Sequence, residues 1–460
     1  MKRKYFLYTA AIALTVSVAA CNKALDIKPT GSIDQSQAIL TAKDVQSTLV
    51  GTYNRMAQSD LYAGDIFMYS DLMATQTIVN WTGTFQELTQ MVNQKILVDN
   101  GFVQDTWLRG YQVINLANNV LANLNKVVAD DKDRTEGEAK FIRGLMYFDL
   151  ARLYGKAYND GTPSSNLAVP IVLTPTTVVS DASYVSRATV KAVYDQAISD
   201  LTDAEAKLPE TNSFRATKGA AQAILARLYL QQGNYTLAVT EANNVISSGN
   251  YSLNATYAAE FPNGTSAAHF DNTSEDIFAI QVTSQQGVNS FNTYFASSGF
   301  GGRGDVRAKT TFVADSFATN DSRGKFFTAT TDGDGNPLYY RTKKYNNSLG
   351  NAHVVRLAEM YLIRAEGNFR NGTVIGATPT ADVNKIRVRA GATPIGTVKL
   401  GDIIRERILE LHFEGFALQD AKRLELKKVG SVQYNSPALV FPVPQRELLA
   451  NKNLVQNEGY

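Results

Sequence analysis

Apolar residues recur at helical spacing in long segments spread over most of the chain. Val45, Leu49 and Met56 fall on one face of such a segment, and Thr41 stands where an N-cap is expected. The same spacing predicts helices at residues 41–58, 107–128, 137–154, 189–208, 218–231, 235–247, 355–370, 381–389 and 400–427. The chain is therefore expected to be mainly α-helical.

Two neighbouring helices carry the spacing of a tetratricopeptide helix pair. The matching residues are Ala226, Tyr229, Gly233, Tyr235 and Ala238. The small residue lets two helices approach closely, and the tyrosine after it fills the groove beside it. Partial copies begin at Gly144 and Ala358. A small residue followed by an aromatic one also occurs on ordinary packed helices, but the combination favours a scaffold of repeated helix pairs.

The charge composition excludes nucleic-acid binding that works through bulk charge. The 45 Lys and Arg residues nearly balance the 43 Asp and Glu residues, which leaves a formal net charge of +2. The sequence holds one cysteine and three well-separated histidines. A disulfide framework, a cysteine metal cluster and a zinc enzyme are therefore not expected. We predict no cofactor and no metal ligands.

Residues 1–20 have the organisation of a bacterial secretory signal. A basic start is followed by an apolar run, which is too short to span a membrane, and then by small residues. Cys21, the only cysteine, follows the cleavage site directly. This position favours a lipoprotein in which Cys21 carries the acyl chains that hold it on a bilayer. A plain signal peptide with an incidental cysteine is the alternative.

Helical periodicity is missing from three long stretches, residues 61–105, 159–182 and 252–351. They are rich in Gly, Ser, Thr, Asn and aromatic residues, and long loops of this kind often carry function. Short strands are predicted at residues 276–282 and 338–345. Residues 332–336, Asp-Gly-Asp-Gly-Asn, predict a hairpin turn. They also resemble the start of an EF-hand loop, but Lys343 stands where that loop requires Glu.

Glu406, Glu410 and Glu414 share one face of a predicted helix. Paired carboxylates perform acid–base chemistry in glycosidases, so this row supports an enzyme as an alternative. The basic residues near it in sequence are Arg405, Arg407, Lys422 and Arg423. A charge network that fixes the helix is therefore the favoured interpretation. The sequence contains no nucleophile–base motif and no phosphate-binding loop, and we predict no catalytic residue.

The order and spacing of many short blocks resemble the SusD/RagB family of Bacteroidetes outer-membrane nutrient-binding lipoproteins. After Cys21, the blocks lie at residues 107–118, 139–155, 169–171, 187–201, 217–230, 356–366, 384–391, 406–423, 441–444 and 456–460. Each block is weakly specific, but together they span essentially the whole mature chain. Two features depart from the family pattern. Ala417 stands where Arg is common, and residues 22–26 match the acidic surface-export segment only in part.

The resemblance implies a mainly α SusD-like fold, with tetratricopeptide-like helix pairs as a scaffold and loop-rich inserts with short β-hairpins. It implies a non-catalytic, lipid-anchored protein of the outer membrane that faces the cell exterior. Such a protein captures oligosaccharides and delivers them to a SusC-like TonB-dependent barrel, for which it acts as the lid. A RagB-type member would bind peptides instead. A scaffold that binds only protein is a further alternative.

The chain is expected to divide into a signal peptide (1–20), a lipidated tether (21–40), an N-terminal part with the helix pairs (41–255) and a C-terminal part of the same globular unit (256–460). Ligand contacts in the family lie in variable loops, so the site is predicted from residues of the inserts. Trp81, flanked by Asn and Thr, suits stacking on a sugar ring, although it could instead anchor its loop. Trp107 is expected in the core. The predicted ligand-binding residues are Tyr69, Asn80, Trp81, Phe291, Tyr294 and Arg303.

Overall fold

The computed structural model describes residues 39–74, 78–263, 267–287 and 289–460. Cys21, the predicted signal peptide and nearly all of the predicted tether lie outside the described residues. No helix in the described part of the chain is both long and apolar enough to cross a membrane. About half of the residues are helical, which confirms the mainly α class.

Helices form a continuous packed row that is the frame of the molecule. In chain order the described helices are α1 (Ala42–Met56), α2 (Asp65–Ala74), α3 (Gln86–Val92), α4 (Gly101–Ala122), α5 (Ala129–Tyr154), α6 (Val190–Lys207), α7 (Lys218–Gln232), α8 (Tyr235–Ser247), α9 (Ser290–Phe295), α10 (Thr310–Ser316), α11 (Leu357–Asn371), α12 (Pro379–Arg389), α13 (Leu400–Leu411), α14 (Ala417–Arg423) and α15 (Gln445–Ala450). In the row, α1 packs on α4, and the helices from α4 to α8 pack consecutively on one another. Helix α8 then contacts α11, which packs on α12 and α13.

Side-chain caps explain where several predicted helices begin. Thr41, Thr189 and Thr217 each accept a hydrogen bond from a backbone N–H in the first turn of α1, α6 and α7. Asn234 caps α8 in the same way, so α7 and α8 form the predicted helix pair. Trp107 lies in the core, as predicted, with 3% of its surface exposed.

The prediction that residues 61–105 lack regular structure is wrong, because α2, α3 and the first turn of α4 lie within them. Helix α2 is buried on all sides, from Asp65 to Met73. A helix without a polar face has no amphipathic period, so the sequence pattern could not reveal it.

The single helix predicted at residues 400–427 is in fact two helices, α13 and α14. The chain turns between them through Phe413 (φ 63°) and Gly415 (φ 83°). A Cβ atom on Gly415 would lie 2.7 Å from the Cα of Phe67 in α2. The break therefore lets α14 pack closely on α2.

Short strands join the helical frame to the inserts. They are β1 (Val79–Trp81), β2 (Asp276–Ile280), β3 (Val306–Ala308), β4 (Phe327–Thr331), β5 (Pro337–Thr342) and β6 (Ala352–Arg356). The first sheet has the antiparallel order β1-β3-β5-β4, and the second pairs β2 with β6. The predicted hairpin turn lies between β4 and β5, where Asp332 Oδ1 accepts hydrogen bonds from the Asp334 and Asn336 N–H groups at 3.0 and 2.8 Å.

Substitution of Gly144 tests how closely α5 and α6 pack. A Cβ atom there would lie 2.9 Å from Leu201 Cγ and 3.0 Å from the Ala197 carbonyl oxygen, whereas a Cβ on Gly51 in α1 would have nothing within 4 Å. We expect Gly144→Ala to lower the free energy of unfolding by about 1–3 kcal/mol through overpacking. The control Gly51→Ala should raise it by about 0.5–1 kcal/mol through helix propensity. Urea unfolding measures both, and equal stabilisation by the two variants would contradict the close packing.

Candidate functional site

Backbone pairing joins the first insert to the later one. Strand β1 pairs with β3, and Trp81 lies opposite Val306. The ladder continues beyond β1, because the Thr82 N–H donates to the Asp305 carbonyl oxygen at 2.8 Å. The predicted site depends on this long-range contact, which the sequence alone could not establish.

Several of the predicted site residues lie together at this junction. The rings of Trp81 and Tyr294 are 6.2 Å apart, measured between centroids. The Arg303 guanidinium lies 4.8 Å from the ring centroid of Phe85, and that ring in turn contacts Tyr294 at 6.2 Å. Asn80 is exposed on β1 next to Trp81. The junction therefore carries an aromatic cluster with polar groups at its edge.

Hydrogen bonds fix the orientation of the side chains in this cluster. The Trp81 Nε1–H donates to Thr89 Oγ1 at 3.0 Å, and the indole is partly buried. The Arg303 Nε–H donates to Asp305 Oδ2 at 2.7 Å while 43% of its side chain stays exposed. Both residues are held by the protein and still reach its surface.

Tyr69 and Phe291 lie in the core. Tyr69 is fully buried on α2, where its ring contacts Phe102 and Phe441. Phe291 is 3% exposed and stacks on Tyr345, with the ring centroids 4.5 Å apart. In this structure neither side chain faces a surface, because the helices that carry them pack inside the frame.

A cleft of about 670 Å³, which we call the insert cleft, opens where the two inserts meet α1 and α4. Phe102 and Tyr294 supply aromatic surface to its wall, and Gln58, Ser59 and Thr293 supply neutral polar groups. Tyr294 belongs both to this cleft and to the aromatic cluster around Trp81. The ionisable side chains that line the insert cleft are Arg55, Asp60, Asp65, Glu87, Asp105 and Arg109.

Asp65 is a buried acid among the residues that line the insert cleft. It is 4% exposed, and its Oδ1 atom has no hydrogen-bond partner among the residues that the structure describes. Burial raises the pKa of this carboxyl from 3.8 to about 8, although the Ser290 side chain hydrogen-bonds to it and opposes the shift. The raised pKa favours the protonated, uncharged form of this carboxyl at neutral pH.

The remaining charges leave the insert cleft slightly acidic. Asp60 is paired with Arg55 at 3.4 Å and with Arg109 at 3.2 Å. Glu87 and Asp105 add two more acidic side chains, so three acids face two guanidinium groups. Burial raises the pKa of Asp60, and the two arginines oppose this shift. The arrangement favours a neutral or cationic ligand over an anionic one.

Sequence reasoning missed the contribution of α4 to the cleft. Phe102, Asp105 and Arg109 are spaced as one helix face, and all three line it. The predicted helix starts at Trp107, whereas Asn100 caps the observed helix and Gly101 is its first residue. Asn100 as an N-cap, followed by residues at helical spacing, is the sequence signal that indicates the earlier start of α4.

The carboxylate row of the enzyme alternative is a buried ion-pair network. Glu406, Glu410 and Glu414 are each at most 6% exposed, and Glu414 lies beyond the end of α13. Burial opposes ionisation, but Arg356 and Lys344 lower the pKa of Glu414 to about 2. The cations that pair with the row are Arg323, Lys344, Arg356, Arg387 and Arg389.

The predicted charge network around the three glutamates is confirmed, but the cations that pair with them are not the basic residues near them in sequence. The cations come from other elements of the fold, whereas Arg407 pairs with Glu359 and Asp420, and Arg423 with Glu366. Buried carboxylates that are already paired are poorly placed to protonate a substrate.

Asp65 makes stability depend on pH. Its folded pKa is raised to about 8, so between about pH 4 and 8 the folded state holds a proton that the unfolded state has lost. Stability therefore falls as pH rises through this window, by up to about 1.4 kcal/mol per pH unit. We expect Asp65→Asn to remove this dependence, with little gain at pH 4 and a large gain at pH 7.5 in chemical unfolding.

Asp334→Asn, on the exposed hairpin turn, is the control and should show the same small effect at both pH values. A difference between wild type and Asp65→Asn that does not change with pH would contradict a protonated Asp65.

Comparison with known proteins places both halves of the chain in one group. A family model described as starch-binding and associating with the outer membrane matches residues 24–230. The SusD family model matches residues 307–438.

Individual relatives agree with these matches. SusD-like protein P2 of Formosa agariphila is 24% identical over 98% of both chains. Starch-binding protein SusD of Bacteroides thetaiotaomicron is 33% identical over 28% of this chain and 24% of its own length. The crystal structure of a SusD superfamily protein from Bacteroides thetaiotaomicron is 25% identical, covers 91% of this chain and all of that one, and superposes with a TM-score of 0.79. The chain thus belongs to the SusD/RagB family.

Proposed function

We propose that the protein is a non-catalytic, lipid-anchored binding protein of the outer membrane. It captures a neutral oligosaccharide in the insert cleft and delivers it to a SusC-like TonB-dependent barrel, for which it acts as the lid. The observation that carries this proposal is the meeting of two inserts on a rigid helical frame, which creates a cleft with aromatic walls and polar groups.

The chemistry of the insert cleft suits a sugar. The half-buried ring of Phe102 offers flat apolar surface to the C–H face of a pyranose, and the partly buried Trp81 extends this surface beside the cleft. Tyr294 contributes only the 7% of its surface that is exposed. Gln58, Ser59 and Thr293 offer donors and acceptors to hydroxyl groups. The names of relatives that bind starch support the same class of ligand.

The charge of the cleft narrows the class to neutral glycans. Sulfated and uronic oligosaccharides would meet three acids against two guanidinium groups. A protonated Asp65 would donate a hydrogen bond to a sugar oxygen without adding charge. Peptides remain the alternative ligand, because a free amino group would also be attracted to this cleft.

Trp81 supplies the binding test. We expect Trp81→Ala to weaken calorimetric binding of a neutral oligosaccharide by about 1–3 kcal/mol, by analogy with base–aromatic stacking. The control Phe369→Ala removes an exposed aromatic side chain on α11, outside the cleft, and should leave affinity unchanged. The panel includes neutral and uronate-containing oligosaccharides and short peptides.

Three results would count against this assignment. Unchanged affinity with lowered thermal stability would make Trp81 a loop anchor. Tighter binding of the uronate series would contradict the charge argument. Binding of peptides alone would establish the RagB-type alternative.

Cys21 supplies the test of the anchor and the partner. We expect wild type to partition with outer membranes and to recover a large β-barrel when it is pulled down from gently solubilised membranes. Cys21→Ser should remain soluble with an unchanged melting temperature, because the lipid rather than the fold holds the protein on the bilayer. Asn22→Ser is the matched control and should partition as wild type does. Wild type recovered without a barrel would contradict the transporter partnership, and membrane-bound Cys21→Ser would contradict the anchor.

A further inference from the structure

A buried cluster of one histidine and two acids lies beside the two-stranded sheet, outside the insert cleft. Asp276 is the first residue of β2, His353 lies on β6, and Glu260 ends a 3-10 turn at Tyr257–Glu260. The His353 Nδ1 atom is 2.5 Å from Asp276 Oδ1 and 3.6 Å from Glu260 Oε1. One possible ligand atom from each residue thus lies within 4.8 Å of the other two.

The carboxyl group of Glu260 is fixed in position but only half satisfied. Its Oε2 atom accepts hydrogen bonds from Asn254 Nδ2 and Thr273 Oγ1, both at 2.6 Å. Its Oε1 atom, in a fully buried side chain, has no hydrogen-bond partner in the described part of the chain. Thr273 also orients Asp276, whose Oδ2 accepts from the Thr273 N–H at 2.8 Å. Such outer hydrogen bonds typically orient the ligands of a metal ion.

The cluster contains two carboxyl groups and one imidazole. The guanidinium of Arg356 attracts Glu260, but it is already bonded to Glu410 and Glu414. With both carboxyl groups ionised and the imidazole neutral, one divalent cation would balance the charge of the three ligands.

We propose that Glu260, Asp276 and His353 bind a structural Zn²⁺ ion. One imidazole nitrogen with two carboxylate oxygens suits zinc, whereas Ca²⁺ and Mg²⁺ take oxygen ligands. A water molecule completes the tetrahedron from a small void of about 20 Å³ that Asp276 and His353 line.

Binding requires only small side-chain movements. Zinc bonds of about 2.0–2.1 Å place tetrahedral ligand atoms about 3.3 Å apart. The separation of His353 Nδ1 and Asp276 Oδ1 widens from 2.5 Å, and that of His353 Nδ1 and Glu260 Oε1 shortens from 3.6 Å. The ion would tie the turn at Glu260 to both strands of the sheet.

The test uses the full mature chain, stripped with a chelator and titrated with zinc sulfate. We expect about one zinc ion per chain by mass spectrometry and a melting temperature that rises with free zinc. His353→Gln and Glu260→Gln should each abolish this rise. His269→Gln, a histidine outside the cluster, should keep it. Substitution of wild type with Co²⁺ should give the visible absorption of tetrahedral cobalt.

A chain that retains no zinc, and whose melting temperature ignores zinc, would overturn the proposal. In that case the cluster holds a proton instead of a metal ion, and a protonated His353 pairs with Asp276. A wild-type zinc response in Glu260→Gln, or an equal response to Ca²⁺ or Mg²⁺, would also overturn it. If His353→Gln fails to fold, wild-type zinc content and the Glu260 variant decide the matter. None of these residues lines the insert cleft, so this test and the glycan-binding test fail independently.

Discussion

The fold depends on one buried ion-pair network that joins elements far apart in the chain. Glu410 on α13 accepts from Arg323, Arg356 and Arg389, and Arg356 links this carboxylate to Glu275 and Glu414. Removing water from so many charges is costly, and only complete pairing offsets that cost. The paired charges come from separate elements, so the network joins β6, α12, α13 and the turn into α14. That region in turn supports α2 and the inserts above it.

Local signals in the sequence were sufficient for most of the helical frame. Periodicity located the helices of the row, and Thr41 is the N-cap of α1 as predicted. Helices α4 and α5 begin earlier than predicted, at Gly101 and Ala129. Patterning failed where tertiary packing sets the structure. Helix α2 is buried on every side and has no period to detect, and the break before α14 follows from contact between Gly415 and Phe67.

The candidate site was harder to predict, because its residues come from segments that meet only in three dimensions. Among the aromatic residues predicted from the inserts, Trp81 and Tyr294 lie together in the structure, and their ligand contacts stay a prediction. Residue type does not determine exposure, and the predicted site residues Tyr69 and Phe291 both lie in the core. Asp65 carries no such signal in the sequence. Its chemistry arises from burial and from the neighbours that the fold supplies.

The pairing of β1 with β3 also determines when the cleft can exist. Thr82 and Asp305, which extend this ladder, are 223 residues apart in the chain. Closing so long a loop lowers the entropy of the chain before any contact across it can stabilise the structure. Contacts between segments so far apart in sequence therefore form more slowly than local structure does. A chain in which β1 and β3 have not paired lacks the junction between the two inserts, whatever helices it holds. Occupancy of the cleft reports that the whole frame has assembled, and a bound ligand shifts the population toward fully assembled molecules by mass action.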